Sequence, residues 1–148
     1  MDAARKVLHW PWFNPVGVTI LYGSFLIHGG LAFYALYQRR RLTMRMGEAL
    51  QMLFGLSLPL LLVAHMLGTR IAFSVFGADV NYAYVLLAQW QFDPWIGVRQ
   101  TFVLFAAWVH GCIGVYYWLR LKPGYTQYEP LLFGLAILIP ALSLAGFV

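Results

Sequence analysis

Of the 148 residues, 61% are hydrophobic and only 10% charged, with a mean hydropathy of +0.70. A soluble domain of this size carries about 25% charged residues, so a water-covered surface is excluded and lipid is the natural solvent. The net charge of +5 is modest, and its largest cluster (Arg39, Arg40, Arg41, Arg45) lies between two apolar runs. That placement orients a membrane protein and speaks against nucleic acid, which calls for a basic face on a soluble fold. The single cysteine, Cys112, rules out an internal disulfide, a CxxC metal site and a CxxCH haem attachment.

In chain order, residues 1 to 16 form a lead-in with Arg5, Lys6 and the headgroup-level string His9-Trp10-Pro11-Trp12. The first span is expected over 17–38, long enough for a hydrocarbon core of roughly 30 Å, and Arg39-Arg40-Arg41 stops it. A second span is expected over 49–68, with Pro59 loosening or kinking it. Residues 71–97 read as an interfacial segment. The apolar run at 84–90 is too short to span and is bracketed by Asp79, Asn81, Asp93 and Pro94, as in a surface helix or re-entrant lid. A third span follows over 98–119, a turn at Pro123-Gly124, and a fourth span over 131–147 interrupted by Pro140. The expected fold is therefore an all-α, polytopic transmembrane helix bundle, forming one domain over 1–148.

The positive-inside rule orients it. Arg39, Arg40, Arg41, Arg45, Arg120 and Lys122 lie on one side, against Arg5, Lys6, Arg70 and Arg99 on the other. The first side is read as cytoplasmic, which turns both chain ends outward and suggests that neighbouring helices belong to a longer protein.

Three histidines, His28, His65 and His110, sit inside apolar spans, where an ionisable side chain marks a functional site by default. His28 lies eleven positions before Arg39 and His110 ten before Arg120. These offsets correspond to roughly 16 and 15 Å of helix at 1.5 Å per residue. The two spans run in the same direction, so the imidazoles are expected at one depth, as the axial pair of a b-type haem in the bundle core. His65, five residues before Arg70, lies nearer the outer face and has no partner at its level in this chain. A porphyrin plate needs room beside its ligand. Ala106, Ala107, Gly111 and Gly114 flank His110, and Ser24, Gly29 and Ala32 flank His28. Arg70 is placed to meet the propionates of an outer haem, and the basic residues at 39–45 and 120–122 those of an inner one. The bland alternative is a histidine bonded to a neighbouring carbonyl, with the small residues serving helix packing.

Tyr22-Gly23-Ser24-Phe25-Leu26-Ile27-His28, Ala64-His65-Met66-Leu67-Gly68-Thr69-Arg70, Tyr82-Ala83-Tyr84-Val85-Leu86-Leu87 and Trp108-Val109-His110-Gly111-Cys112-Ile113-Gly114 carry a resemblance. With them the chain resembles the diheme b-type membrane anchor of bacterial class III adenylate cyclases. That anchor is itself similar to the cytochrome b subunits of succinate dehydrogenase and fumarate reductase. The resemblance implies six helices, of which this chain holds the central four, with His28, His65 and His110 as ligands on the second, third and fourth. It implies haem b, a partner for His65 on a helix outside this chain, and a cytoplasmic cyclase domain in cis. A homodimer in the bacterial inner membrane and a response to quinone redox state follow from it too. No nucleotide site, P-loop or carboxylate pair lies in these residues, so no cyclase chemistry is expected here. The runner-up is an anchor subunit passing electrons to quinone. A metal or proton transporter would want carboxylates near the histidines, and the spans contain none. For quinone the expectation is a site along 79–99, on the outer side.

Overall fold

The computed structural model describes residues 2–147, apart from the side chains of Asp2 and Arg5. Arg5, part of the charge count above, thus lies outside the described side chains. Every regular element among the described residues is helical. Among the described residues four helical stretches are long and apolar enough to cross a membrane: Pro15–Tyr37, Met46–Phe76, Pro94–Leu119 and Tyr125–Ala145. By length and composition the chain is a multi-pass membrane protein. It divides into two compact units, Met1–Met44 and Arg45–Val148.

In the first unit, α1 (Asp2–His9) runs into a 3₁₀ turn (Trp10–Trp12), and α2 spans Pro15–Tyr37. The lead-in is thus mostly helical. Asn14 caps α2, its Oδ1 accepting from the Gly17 N–H at 2.9 Å, and Pro15 supplies the fixed φ that suits a first helical position. The Asn14 amide also donates to the Pro11 carbonyl at 2.8 Å, folding the 3₁₀ turn onto the start of α2. Gly17 permits this fold, because a Cβ there would collide with that Pro11 carbonyl. His9 stacks on Phe13 with ring centroids 5.4 Å apart.

The second unit begins with α3 (Met46–Met66), which passes through a π-helical turn (Leu67–Ile71) into α4 (Ala72–Phe76) without a break. This stretch is longer than the span expected at 49–68. The π turn carries Gly68, Thr69 and Arg70 past the expected end at 68, and Ile71 to Phe76 continue the helix. Termination comes at Gly77, whose φ of 65° is the left-handed cap that glycine adopts at least cost. The Ala78 N–H reaches back to the Ala72 carbonyl and the Gly77 N–H to Phe73, satisfying two orphan acceptors. The helix also runs on through Pro59, which has no N–H to offer the Gly55 carbonyl one turn earlier.

A short helical segment follows, α5 (Tyr82–Leu86) continued by a second π-helical turn (Leu87–Phe92), before α6 (Pro94–Leu119) and α7 (Tyr125–Ala145). Residues 71–97 contain the end of one long helix, a capped short helix and the start of the next. Asp93 accepts from the Trp95 N–H at 3.0 Å and Pro94 opens α6, four residues before the expected start. The turn into α7 falls at Pro123-Gly124, with Gly124 at φ 79°.

Within this unit α3 and α6 pack antiparallel. The contact is built on alternating glycine and bulk. Gly47 faces the Tyr117 hydroxyl, Gln51 lies over Gly114, and Gly55 faces the His110 ring. On α3 these positions recur every four residues. On α6, Val103, Ala106, His110, Gly114 and Tyr117 form one stripe at spacings of three and four. Val103 and Ala106 are 2% and 0% exposed, so this stripe is the tightest part of the molecule. In lipid the hydrophobic effect gives helices no reason to associate, and close approach over small residues supplies the dispersion contact instead. α7 joins through the Trp108 indole N–H, which donates to the Ala136 carbonyl at 2.8 Å.

The segment 82–92 fastens the opposite end. Its Tyr82 hydroxyl donates to the Gly146 carbonyl, the Trp90 indole to the Phe147 carbonyl at 2.8 Å, and the Tyr84 hydroxyl to the Gly68 carbonyl at 3.3 Å. The Trp90 and Phe147 rings meet edge to face at 5.6 Å. Gly97 lets the second π turn lie against the first turns of α6, since a Cβ there would sit 2.7 Å from the Gln89 carbonyl.

Candidate functional site: the intramembrane histidines

His110 sits on α6 in the stripe that faces α3 and is half-buried. Its Nδ1 lies 2.9 Å from the backbone carbonyl of Gln51. A carbonyl can only accept, so the neutral ring carries its proton on Nδ1 and its lone pair on Nε2. The bland expectation of a carbonyl-bonded histidine is met, and it leaves the other nitrogen with donor chemistry. The ring rests on Gly55, where a Cβ would lie 2.6 Å from Cε1, 3.0 Å from Nδ1 and 3.6 Å from Nε2. The Nδ1–Cε1 edge therefore faces α3.

The small residues around His110 divide into two groups. Ala106 is fully buried and Gly114 is covered by the Gln51 side chain, whose Nε2 would lie 3.1 Å from a Cβ there. These two were expected to leave room for a porphyrin; they serve helix packing instead, because the glycine-rich face of α3 needs a close partner. Gly111 has nothing within 4 Å of its Cβ position and Ala107 is exposed, so this flank of the helix is open. The Gln51 Oε1 is buried with no hydrogen-bond partner among the described residues. A polar layer thus crosses the α3–α6 contact at the His110 level.

His65 is also half-buried, near the end of α3, where the π turn begins two residues later. Its backbone carbonyl accepts from the Thr69 hydroxyl at 2.6 Å. Arg70 lies in the same π turn and is half-buried, and Gly68 has open space at its Cβ position. π-helical turns frequently mark functional positions, and nothing in the sequence reading anticipated this one. Gly55, which faces the His110 ring, is ten positions before His65, so at 1.5 Å per residue the two histidines of this unit differ by roughly 15 Å along the helix. The second unit does not bring them together.

His28 belongs to α2 in the first unit and is exposed, with open space at the Cβ positions of Gly23, Gly29 and Gly30. Cys112 is half-buried and its thiol is free. Among the described residues no three of His, Cys, Asp or Glu converge as a multidentate metal site. A haem iron needs only axial donors, so this bears on the transporter reading alone. Compared with known proteins, the chain matches no family model, no curated protein and no solved structure.

Proposed function

We propose that this chain is a haem b-binding membrane domain that senses redox state, through quinone, and governs an attached adenylate cyclase. One observation carries the haem reading: the Gln51 carbonyl fixes the Nδ1–H tautomer of His110 inside a membrane helix, beside the open flank at Ala107 and Gly111. An axial histidine in a protein holds its second nitrogen in just this way. The donor chemistry at His110 fits the group, and the resemblance assigns His28 on α2 as a haem ligand as well. His65 and Arg70 would hold a second haem near the other end of α3. Bound haem would supply one-electron chemistry at a fixed depth. The protein's own part is to hold imidazoles, exclude water and transmit a change of helix packing. The sensing role and the attached cyclase rest on the resemblance of the histidine-bearing strings.

The test is a reduced-minus-oxidised absorption spectrum of the purified membrane protein, expressed with ample haem supply. Sharp b-type bands are expected, and they should be lost on replacing His110 or His28 with Ala. Their absence from the unmodified protein would overturn the reading.

A further inference from the structure

We propose that Gly55 is a positioning residue for His110, and that through the hydrogen bond it permits it sets the donor strength of Nε2. This rests on the haem reading only for what Nε2 ligates; the positioning itself stands on the apoprotein. The Gln51 carbonyl belongs to a transmembrane helix, where side chains normally screen the backbone. Residue 55 is one turn further on and lies on the same face, so its side chain decides whether a foreign ring can reach that carbonyl. With glycine there, the His110 ring comes in edge first and Nδ1 reaches the oxygen at 2.9 Å. With any Cβ at 55 the ring would meet carbon at 2.6 Å from Cε1 and 3.0 Å from Nδ1. It would have to withdraw by nearly an ångström to reach ordinary contact, which carries Nδ1 beyond hydrogen-bond range of the carbonyl. Nε2 is the ring nitrogen further from residue 55, 3.6 Å from that Cβ position.

An imidazole whose Nδ1–H is held by a carbonyl is the more basic ligand at Nε2. A more basic ligand favours the ferric iron, so losing the bond raises the midpoint potential. Gly55→Ala is therefore expected to raise the midpoint potential of the His110 haem and to alter its low-spin bands. Gly134→Ala, where a Cβ has open space, controls for the added methyl. Haem bound normally in the parent, with Gly55→Ala unchanged in potential and spectrum, would overturn the proposal. ¹⁵N-histidine NMR of the haem-free protein gives a second readout that needs no variant. A protonated Nδ1 on His110 is expected, and a protonated Nε2 would overturn it. A parent protein without b-type bands sinks the haem reading, while the tautomer measurement still decides the positioning.

Discussion

The contact at Gly97 offers a quantitative check on how the segment 82–92 holds the end of the second unit. Replacing Gly97 with Ala puts a methyl 2.7 Å from the Gln89 carbonyl oxygen and 2.9 Å from two carbons of the Trp90 ring. Neither neighbour is the loose end of a flexible chain. One is backbone in a π-helical turn, and the other is pinned by the 2.8 Å bond from its indole to the Phe147 carbonyl. Relief to ordinary contact requires a shift of nearly an ångström, enough to stretch that bond out of range. Overpacking of this kind costs about 1–3 kcal/mol. The lost hydrogen bond adds about 0.5–1.5 kcal/mol, and the better helix propensity of alanine returns about 0.5–1 kcal/mol. The net is a destabilisation on the order of 0.5–4 kcal/mol. Gly134→Ala meets nothing and should gain the propensity term alone. Unfolding of both variants in mixed detergent micelles, followed by far-ultraviolet circular dichroism, gives the comparison. If Gly97→Ala proves as stable as Gly134→Ala, the account of this contact is wrong.

Three further expectations concern caps and cross-helix bonds. Trp108→Phe keeps the apolar bulk but loses the bond to the Ala136 carbonyl; stability should fall by about 0.5–1.5 kcal/mol, with faster hydrogen exchange confined to α7. Asn14→Ala removes the cap of α2 and the tie to Pro11. About 1 kcal/mol of local stability should go, read as easier proteolysis around residues 9–14, and unchanged cleavage would count against the cap. Gly77→Ala forces a side chain into φ 65°, a cost of about 1–2 kcal/mol, visible as a lowered thermal midpoint in detergent; an unaltered midpoint would contradict the cap geometry.

The four spans were legible because hydrocarbon imposes one requirement, an unbroken apolar run, that composition displays directly. Their ends were less so, for physical reasons that differ from case to case. The second span runs past the expected end at 68, since a π turn accommodates Gly68, Thr69 and Arg70 by widening the helix, and the apolar Ile71 to Phe76 then carry on. α7 starts at Tyr125, six residues before the expected 131, since Tyr125 to Pro130 are helical despite their polar content. By contrast, the Asp93-Pro94 pair is a cap and first-position proline, a signal present in the sequence and passed over in favour of hydropathy. At the site, His110 was legible as an intramembrane imidazole. Its partner was not, because a backbone carbonyl has no letter of its own. The one available clue was the four-residue spacing of Gly47, Gln51 and Gly55, which places two glycines on one helix face with a polar residue between them.

The long helix of the second unit also bears on which bilayers suit this protein. Met46–Phe76 comprises 31 residues, about 46 Å at 1.5 Å per residue, against a hydrocarbon thickness of roughly 30 Å. α7 has 21 residues, or about 32 Å by the same rise, with almost no surplus. Glycine contacts clamp the N-terminal part of α3 to α6 and limit how far it can lean. The surplus is therefore taken up beyond His65, where the π turn and the aromatic segment 82–92 can sit in the headgroup zone. A thicker membrane would simply cover more of that end, while α7 would have to thin the bilayer around it. Tolerance of hydrophobic mismatch is thus set by the shortest helix, and lipids of increasing chain length should strain α7 first.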